Sequence, residues 1–346
     1  MADPVGVEVR VVDGVAAGTR HRVRLAVRGR SGSPKIGLFR LGTHQVVDIP
    51  ACPIHHPLIN DVANQVKRAI RDARVPPYSD GRHRGTVRYL QVVVERATQT
   101  AQVVVVANGS TPDELRTLFD SMRDRLGDKL HSLFWNGNRE PTNTILGPDW
   151  ARICGPPWVV DRVGGVDVFY PPAAFGQSNP ALAEALVEQV HAWVPSGGTV
   201  VEYYAGTGAI GLGLVERARE VRFNERNEAA MVGLQQGLRQ LGVNAEQRTR
   251  YSVSTAGEAV DWLRDADVVI ADPPRKGLDA ALLAAIADRA PDRFIYMSCS
   301  LESFLSDVGA LLSGGQVGLG ALSAWVMFPF THHVEVLALL RRRARP

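Results

Sequence analysis

Cysteine is scarce: the 346 residues hold three, Cys52, Cys154 and Cys299. None forms a Cys-x-x-Cys, and their spacing matches no zinc or iron–sulfur ligand set. A disulfide framework is therefore not expected, and a reducing cytoplasm is. No run of about 18 apolar residues exists, so no membrane span is expected. The first residues, Met1 to Val11, have no apolar core behind a basic head, so no signal peptide is read there. One-sided charge is missing as well. The net charge of +3 identifies no nucleic-acid binder by itself. The adjacent pairs His55-His56 and His332-His333 diverge on a strand and lack zinc-ligand partners, so no metal is expected. No internal repeat or low-complexity stretch stands out.

What is present is an ordinary globular composition, 45% apolar and 22% charged, in a length that favours two domains. Residues 5–50 alternate apolar with Arg-rich positions, the period of half-buried strands. Arg20, Arg22, Arg24, Arg28 and Arg30 are dense there; a phosphate-facing strand surface and a solvated sheet face both fit them. Residues 57–73 read as helical. Val87 to Val94 and Gln102 to Ala107 read as strands, and Thr111-Pro112-Asp113-Glu114 as a helix start. His131 to Trp135 is a strand and Asn136-Gly137-Asn138 a turn. An α+β domain over 1–165 and a second domain over 166–346 are expected.

In the second part a helix over 178–193 leads to a strand, Thr199 to Tyr203. That strand runs into Tyr204-Ala205-Gly206-Thr207-Gly208-Ala209-Ile210-Gly211, with a helix expected to follow. Gly206 and Gly208 there let backbone approach a ligand closely. A further strand ends in Glu225, where a carboxylate accepts hydrogen bonds from ribose hydroxyls. The pattern Glu202-x-x-x-Gly206-x-Gly208 fits S-adenosylmethionine, which has no phosphates and relies on glycines and carboxylates. Val268-Val269-Ile270 ends in Asp272-Pro273-Pro274-Arg275, and Phe294 to Met297 ends in Ser298-Cys299. Ligands in open α/β sheets sit at such carboxyl ends.

A thiol becomes necessary to a methyltransferase when the acceptor is a poor carbon, such as C5 of a pyrimidine. Thiolate addition at C6 makes C5 enolate-like, and a base must later take the C5 proton. Glu335 is the one carboxylate in the apolar strand 334–340. Burial would raise its pKa towards neutrality, which suits a base.

Five ordered motifs carry a family resemblance. They are Phe175-Gly176-Gln177-Ser178-Asn179, Tyr203 to Gly208, Asp272 to Leu278, Ser298-Cys299, and Met327 to Glu335. With Val27-Arg28-Gly29, Cys52-Pro53 and Asn136 to Gly147 before them, the chain from about 20 to 343 resembles the RNA uracil-5-methyltransferases, which methylate uridine C5 in tRNA or large-subunit ribosomal RNA. The resemblance implies Cys299 as nucleophile and Glu335 as base. It implies Gln177, Tyr204, Gly206, Gly208, Glu225 and Asp272 around S-adenosylmethionine, Asp272 also holding the target base, and Arg275 on phosphate or backbone. The target uridine would be extruded into the pocket. The chain departs from the family at Ser300, where Asn is usual, at Val326 for Asp, and at Ala209 for Asn. Only Cys52 stands near a cluster position of the ribosomal members, so no iron–sulfur cluster is expected.

The fold class expected is α/β: a Rossmann-like class I methyltransferase sheet, doubly wound and closing in an antiparallel hairpin at about 316–343, after an N-terminal α+β domain that positions RNA. The partner expected is rRNA or tRNA, with no membrane. Two other functions stay open: C-methylation of a small-molecule acceptor, motivated by Ser300, and a non-catalytic RNA-binding or RNA-folding role.

Overall fold

The computed structural model describes residues 9–343. The chain forms two units. One comprises Val15–Asp161 and Pro171–Pro180; the other gathers the residues before 15, Arg162–Tyr170 and those after 180. A single cut near 165 does not describe this. Strand β1 (Val9–Val12) pairs in parallel with Leu322 to Trp325, late in the chain, and so belongs to the second unit's sheet.

The first unit is built on a seven-stranded sheet, β2 (Arg22–Arg30), β3 (Ser33–Phe39), β4 (Val46–Asp48), β5 (Val87–Glu95), β6 (Thr100–Ala107), β7 (Leu130–Gly137) and β8 (Asp149–Cys154). Its order is β4-β3-β2-β5-β6-β7-β8, antiparallel except between β6 and β7. Two helices, α1 (Pro57–Asp72) and α2 (Arg116–Leu126), cover one face. In α1, Ile59, Val62, Ala63, Val66 and Ile70 recur at helical spacing and are buried. Pro57 opens that helix, and His56 Nδ1 accepts from Leu58 N. The expected turn at Asn136-Gly137 is instead the end of β7, because the Asn136 side chain bonds the main chain at Gly147 and Asp149 and extends the pairing. The Arg-rich strand is not a uniform outer face. Arg28 is buried, paired with Asp80 and set over the rings of Phe39, Tyr78 and Tyr89.

Two short strands, β9 (Val159–Val163) and β10 (Val166–Tyr170), form a separate ribbon. Then comes α3 (Pro180–Trp193). The second unit's sheet follows: β11 (Thr199–Tyr203), β12 (Glu220–Asn224), β13 (Thr249–Ser252), β14 (Val268–Ala271), β15 (Arg293–Ser298), β16 (Val317–Trp325) and β17 (Glu335–Arg342). With β1 it has eight strands, in the order β1-β16-β17-β15-β14-β11-β12-β13. Only β17 runs antiparallel to its neighbours. Helices α4 (Glu228–Leu241), α5 (Val243–Gln247), α6 (Ala280–Asp288) and α7 (Leu301–Ser313) complete it. Strand side chains alternate between two cores. Val200, Ile270 and Ile295 meet α3 and α4, while Val201, Val269 and Phe294 meet α6 and α7. This is a doubly wound, Rossmann-like α/β sheet whose order reverses at β11/β14, the place where such sheets bind ligands.

The helix expected after the glycine-rich turn reduces to a short 3-10 turn at Gly211–Leu214. The packing there is too close for anything bulkier. A Cβ on Gly211 would lie 2.3 Å from Glu202 Oε2, and one on Gly213 would lie 2.5 Å from the Gly164 carbonyl oxygen. Among the described residues, no helix is long and apolar enough to cross a membrane.

Candidate active site

The parallel register aligns the loops that matter. Tyr203 pairs with Asn224 on one side and with Ala271 on the other. The next residue of each strand, Tyr204, Glu225 and Asp272, therefore emerges level at the carboxyl edge. Tyr204 leaves the strand at φ +59°, and its hydroxyl accepts a hydrogen bond from Asp279 N at 2.8 Å, tying this turn to the start of α6. Gly206 has φ +58° with open space where a side chain would point. Its N–H donates to Glu225 Oε2 at 2.9 Å, while Glu225 Oε1 accepts from Asn227 N at 2.7 Å. Gly208 is also closely packed: a Cβ there would lie 2.4 Å from Leu234.

The thiol and the late carboxylate meet through the antiparallel pair. Ser298 on β15 is the last residue paired with β17, opposite Val336. One step further in both directions stand Cys299 and Glu335. Directly opposed positions on antiparallel strands have Cα atoms about 5 Å apart. Glu335 is 2% exposed and Cys299 half-buried. Burial, and then the charge of Asp272, push the Glu335 carboxyl well above the usual carboxylate range. Burial also raises Asp272. Burial raises the Cys299 thiol as well, with Glu335 and Asp272 adding to it and Arg275 opposing. Cys299, Glu335, Asp272 and Arg275 thus share one electrostatic neighbourhood, although Asp272 and Arg275 are distant in sequence from the other two. Arg275 itself is exposed.

Two further buried carboxylates support these loops. Asp307 on α7 is buried; its Oδ2 accepts from Leu278 N at 2.9 Å and from the Tyr296 hydroxyl at 2.6 Å. It holds the Asp272–Leu278 loop to the helix that starts just after Cys299, and a Cβ on Gly277 would crowd it at 2.5 Å. A carboxylate inside the apolar stripe Phe304, Val308, Leu311 was the signal that marks it. Glu202 is likewise buried, accepting from Gly211 N at 2.9 Å. Burial lifts its pKa to about 8, with the charges of Asp272 and Glu225 adding to that shift and the Gly211 hydrogen bond opposing it.

Ser300, the departure beside the thiol, is the N-cap of α7: its Oγ accepts from Ser303 N. Ser and Asn are both good caps, so this substitution exchanges one cap for another. Gln177 is half-buried in the Pro171–Pro180 segment of the first unit. Cys52 and Cys154 are half-buried free thiols. Among the described residues, no three His, Cys, Asp or Glu side chains cluster as a metal site.

Glu202, Glu225, Asp272 and Glu335 converge at this edge, and among the described residues none has an Arg or Lys at ion-pair distance. Uncompensated carboxylates around an open glycine turn fit a cationic ligand with ribose hydroxyls, as S-adenosylmethionine is.

Comparison with known proteins agrees. A sequence profile described as tRNA (uracil-5-)-methyltransferase matches residues 161–343. An RNA methyltransferase of Protochlamydia amoebophila is 34% identical over 335 residues, covering 95% of this chain and 87% of that one. One of Geobacter sulfurreducens is 33% identical, covering 94% and 66%. The crystal structure of Pyrococcus abyssi tRNA (uracil-54, C5)-methyltransferase with S-adenosyl-L-homocysteine superposes with a TM-score of 0.81 at 27% identity, over 97% of this chain and 79% of that one. The chain belongs to the tRNA (uracil-5-)-methyltransferase family of S-adenosylmethionine-dependent RNA methyltransferases.

Proposed function

We propose that the protein methylates C5 of a uridine in rRNA or tRNA through a covalent adduct between Cys299 and C6. The observation that carries this reading is the placement of Cys299 opposite a buried Glu335 at the sheet edge where the carboxylate row converges. The Cys299 thiolate adds to C6, and the C5=C6 electrons move towards the O4 carbonyl, which makes C5 nucleophilic. S-adenosylmethionine, when bound, would supply a sulfonium methyl group that C5 takes as the S–CH3 bond breaks, leaving S-adenosylhomocysteine. Glu335 then takes the C5 proton, the double bond re-forms and the thiolate leaves. A carboxyl with a raised pKa is a stronger base than an exposed one, and burial gives Glu335 that property. Asp272 holds the base beside them, and Arg275 meets phosphate from the exposed rim. Gln177, Tyr204, Gly206, Gly208, Glu225 and Asp272 hold the methyl donor. Gly206 fits this role because it leaves room, and Glu225 because its carboxylate is already oriented by two N–H donors. The first unit positions the RNA.

The test is a methyl-transfer assay on unmodified tRNA and ribosomal RNA, beside the same RNA containing 5-fluorouridine. Fluorine cannot leave C5 as a proton, so wild type should be caught as a covalent protein–RNA adduct and Cys299→Ala should not. An adduct that survives in Cys299→Ala would remove the nucleophile assignment. The absence of both transfer and adduct on every RNA would favour a small-molecule acceptor or a binding role.

A further inference from the structure

The loop between β16 and β17 ends at Glu335 and contains a residue the reaction above does not use. The Phe328 carbonyl accepts from Thr331 N at 3.3 Å and from Thr331 Oγ1 at 2.8 Å, closing a four-residue turn. Pro329 is second in that turn and Phe330 third, at φ +63°. A left-handed third position after proline is the type II arrangement, where glycine is the usual residue. An aromatic side chain there is disfavoured. Phe330 is also 84% exposed, whereas Phe328, two residues earlier, packs against the core. A strained backbone and an unburied ring are two separate costs at one position, and among the described residues little packs on the ring to offset them.

The surroundings indicate what would. Phe330 lies five residues before Glu335, so the chain keeps it within about 17 Å of that carboxylate. Desolvation, His332 and Arg275 all lower the His333 imidazole, and Arg275 also acts on Cys299. His333, just after the turn, and the Cys299 thiol thus both feel the charge of Arg275. Leu301, two residues after Cys299, is 59% exposed. Exposed rings among cations that contact phosphate are how proteins hold unstacked nucleotides.

We propose that Phe330 is a stacking platform for a nucleobase next to the target uridine. Its left-handed backbone pushes the ring outwards, and the turn, fixed by Thr331, holds it there before RNA arrives. The inference rests on RNA being the substrate. Extruding a uridine leaves its neighbour without a stacking partner, and Phe330 supplies one.

The experiment compares wild type, Phe330→Ala, Phe330→Gly and Phe330→Tyr for affinity to unmodified tRNA and large-subunit ribosomal RNA fragments. Adduct formation on the 5-fluorouridine RNA, S-adenosylhomocysteine affinity and thermal midpoint are read beside it. Loss of one base stack should weaken RNA binding and raise the RNA KM by about tenfold in the Ala and Gly variants. Tyr should restore both, with S-adenosylhomocysteine affinity unchanged throughout. The Gly variant should melt no lower than wild type, since glycine relieves the turn. RNA affinity equal to wild type in the Ala and Gly variants, with wild type forming the adduct, would overturn the platform alone, and so would a Tyr variant as weak as Ala. A wild type that neither binds RNA nor forms the adduct would overturn the RNA reading and this inference with it.

Discussion

Neutralising Glu335 should make Cys299 more acidic in the free protein. The two side chains leave facing strands at opposed positions, and the Glu335 charge is among the causes that raise the thiol. At a separation on the order of the strand spacing, ~5 Å, two like charges repel by ~0.8 kcal/mol in water and ~3.3 kcal/mol at an effective dielectric of ~20. For a half-buried thiol the effect lies between these limits. Burial is the larger cause and survives the substitution. Glu335→Gln should therefore lower the Cys299 pKa without returning it to that of an exposed cysteine. The assay is the rate of iodoacetamide alkylation against pH, without RNA, with Cys299→Ala correcting for Cys52 and Cys154. The midpoint should be read rather than the rate at one pH, because a more acidic thiolate is intrinsically less nucleophilic. An unchanged or higher midpoint in Glu335→Gln would refute the electrostatic coupling, and with it the shared neighbourhood on which the two roles depend. Methyl transfer should nonetheless fall in this variant, since an amide cannot take the C5 proton.

Two other expectations concern stability. Asp307→Ala strands a buried tyrosine hydroxyl and a buried backbone N–H, each costing about 1–3 kcal/mol; denaturant unfolding should show a loss of about 3 kcal/mol, and a loss below about 0.5 kcal/mol would mean that water takes over both bonds. Glu202 has a folded-state pKa of about 8 against 4.5 for an ordinary glutamate, so the folded state holds a proton that the unfolded chain releases. Its contribution is complete below about pH 4.5 and disappears as the pH rises through 8. Thermal melts of the ligand-free protein should therefore show wild type losing stability from pH 6 to 9 relative to Glu202→Gln; parallel curves would mean the carboxyl is ionised throughout.

Local chemistry made much of this protein legible before its fold. Period-two alternation marks β2, and an apolar stripe opened by proline marks α1. Short runs rich in β-branched and aromatic residues stopping at Tyr204, Glu225, Asp272 and Cys299 mark four strand ends. Ordered motifs carried the family. What the sequence did not disclose was set by contacts between distant segments. Val9–Val12 looks like part of the domain that follows it and joins the other sheet, since strand pairing depends on which edge is free and not on sequence distance. The turn after Gly208 forms only a 3-10 turn, packed so closely that a Cβ on Gly211 or Gly213 would meet Glu202 or Gly164. Asp307 and Glu202 act through hydrogen bonds formed only when α7 and the 3-10 turn dock. Cys299 and Glu335 are 36 residues apart in the sequence. Each was singled out by its own surroundings, but their meeting depends on β17 entering antiparallel at one particular register, since a one-residue slip would turn Glu335 to the other face. The sequence by itself determined the kinds of chemical group and the strand ends that carry them. The tertiary structure alone decided which groups face one another, because pairing register and burial, and the pKa values that follow from them, are properties of the assembled sheet.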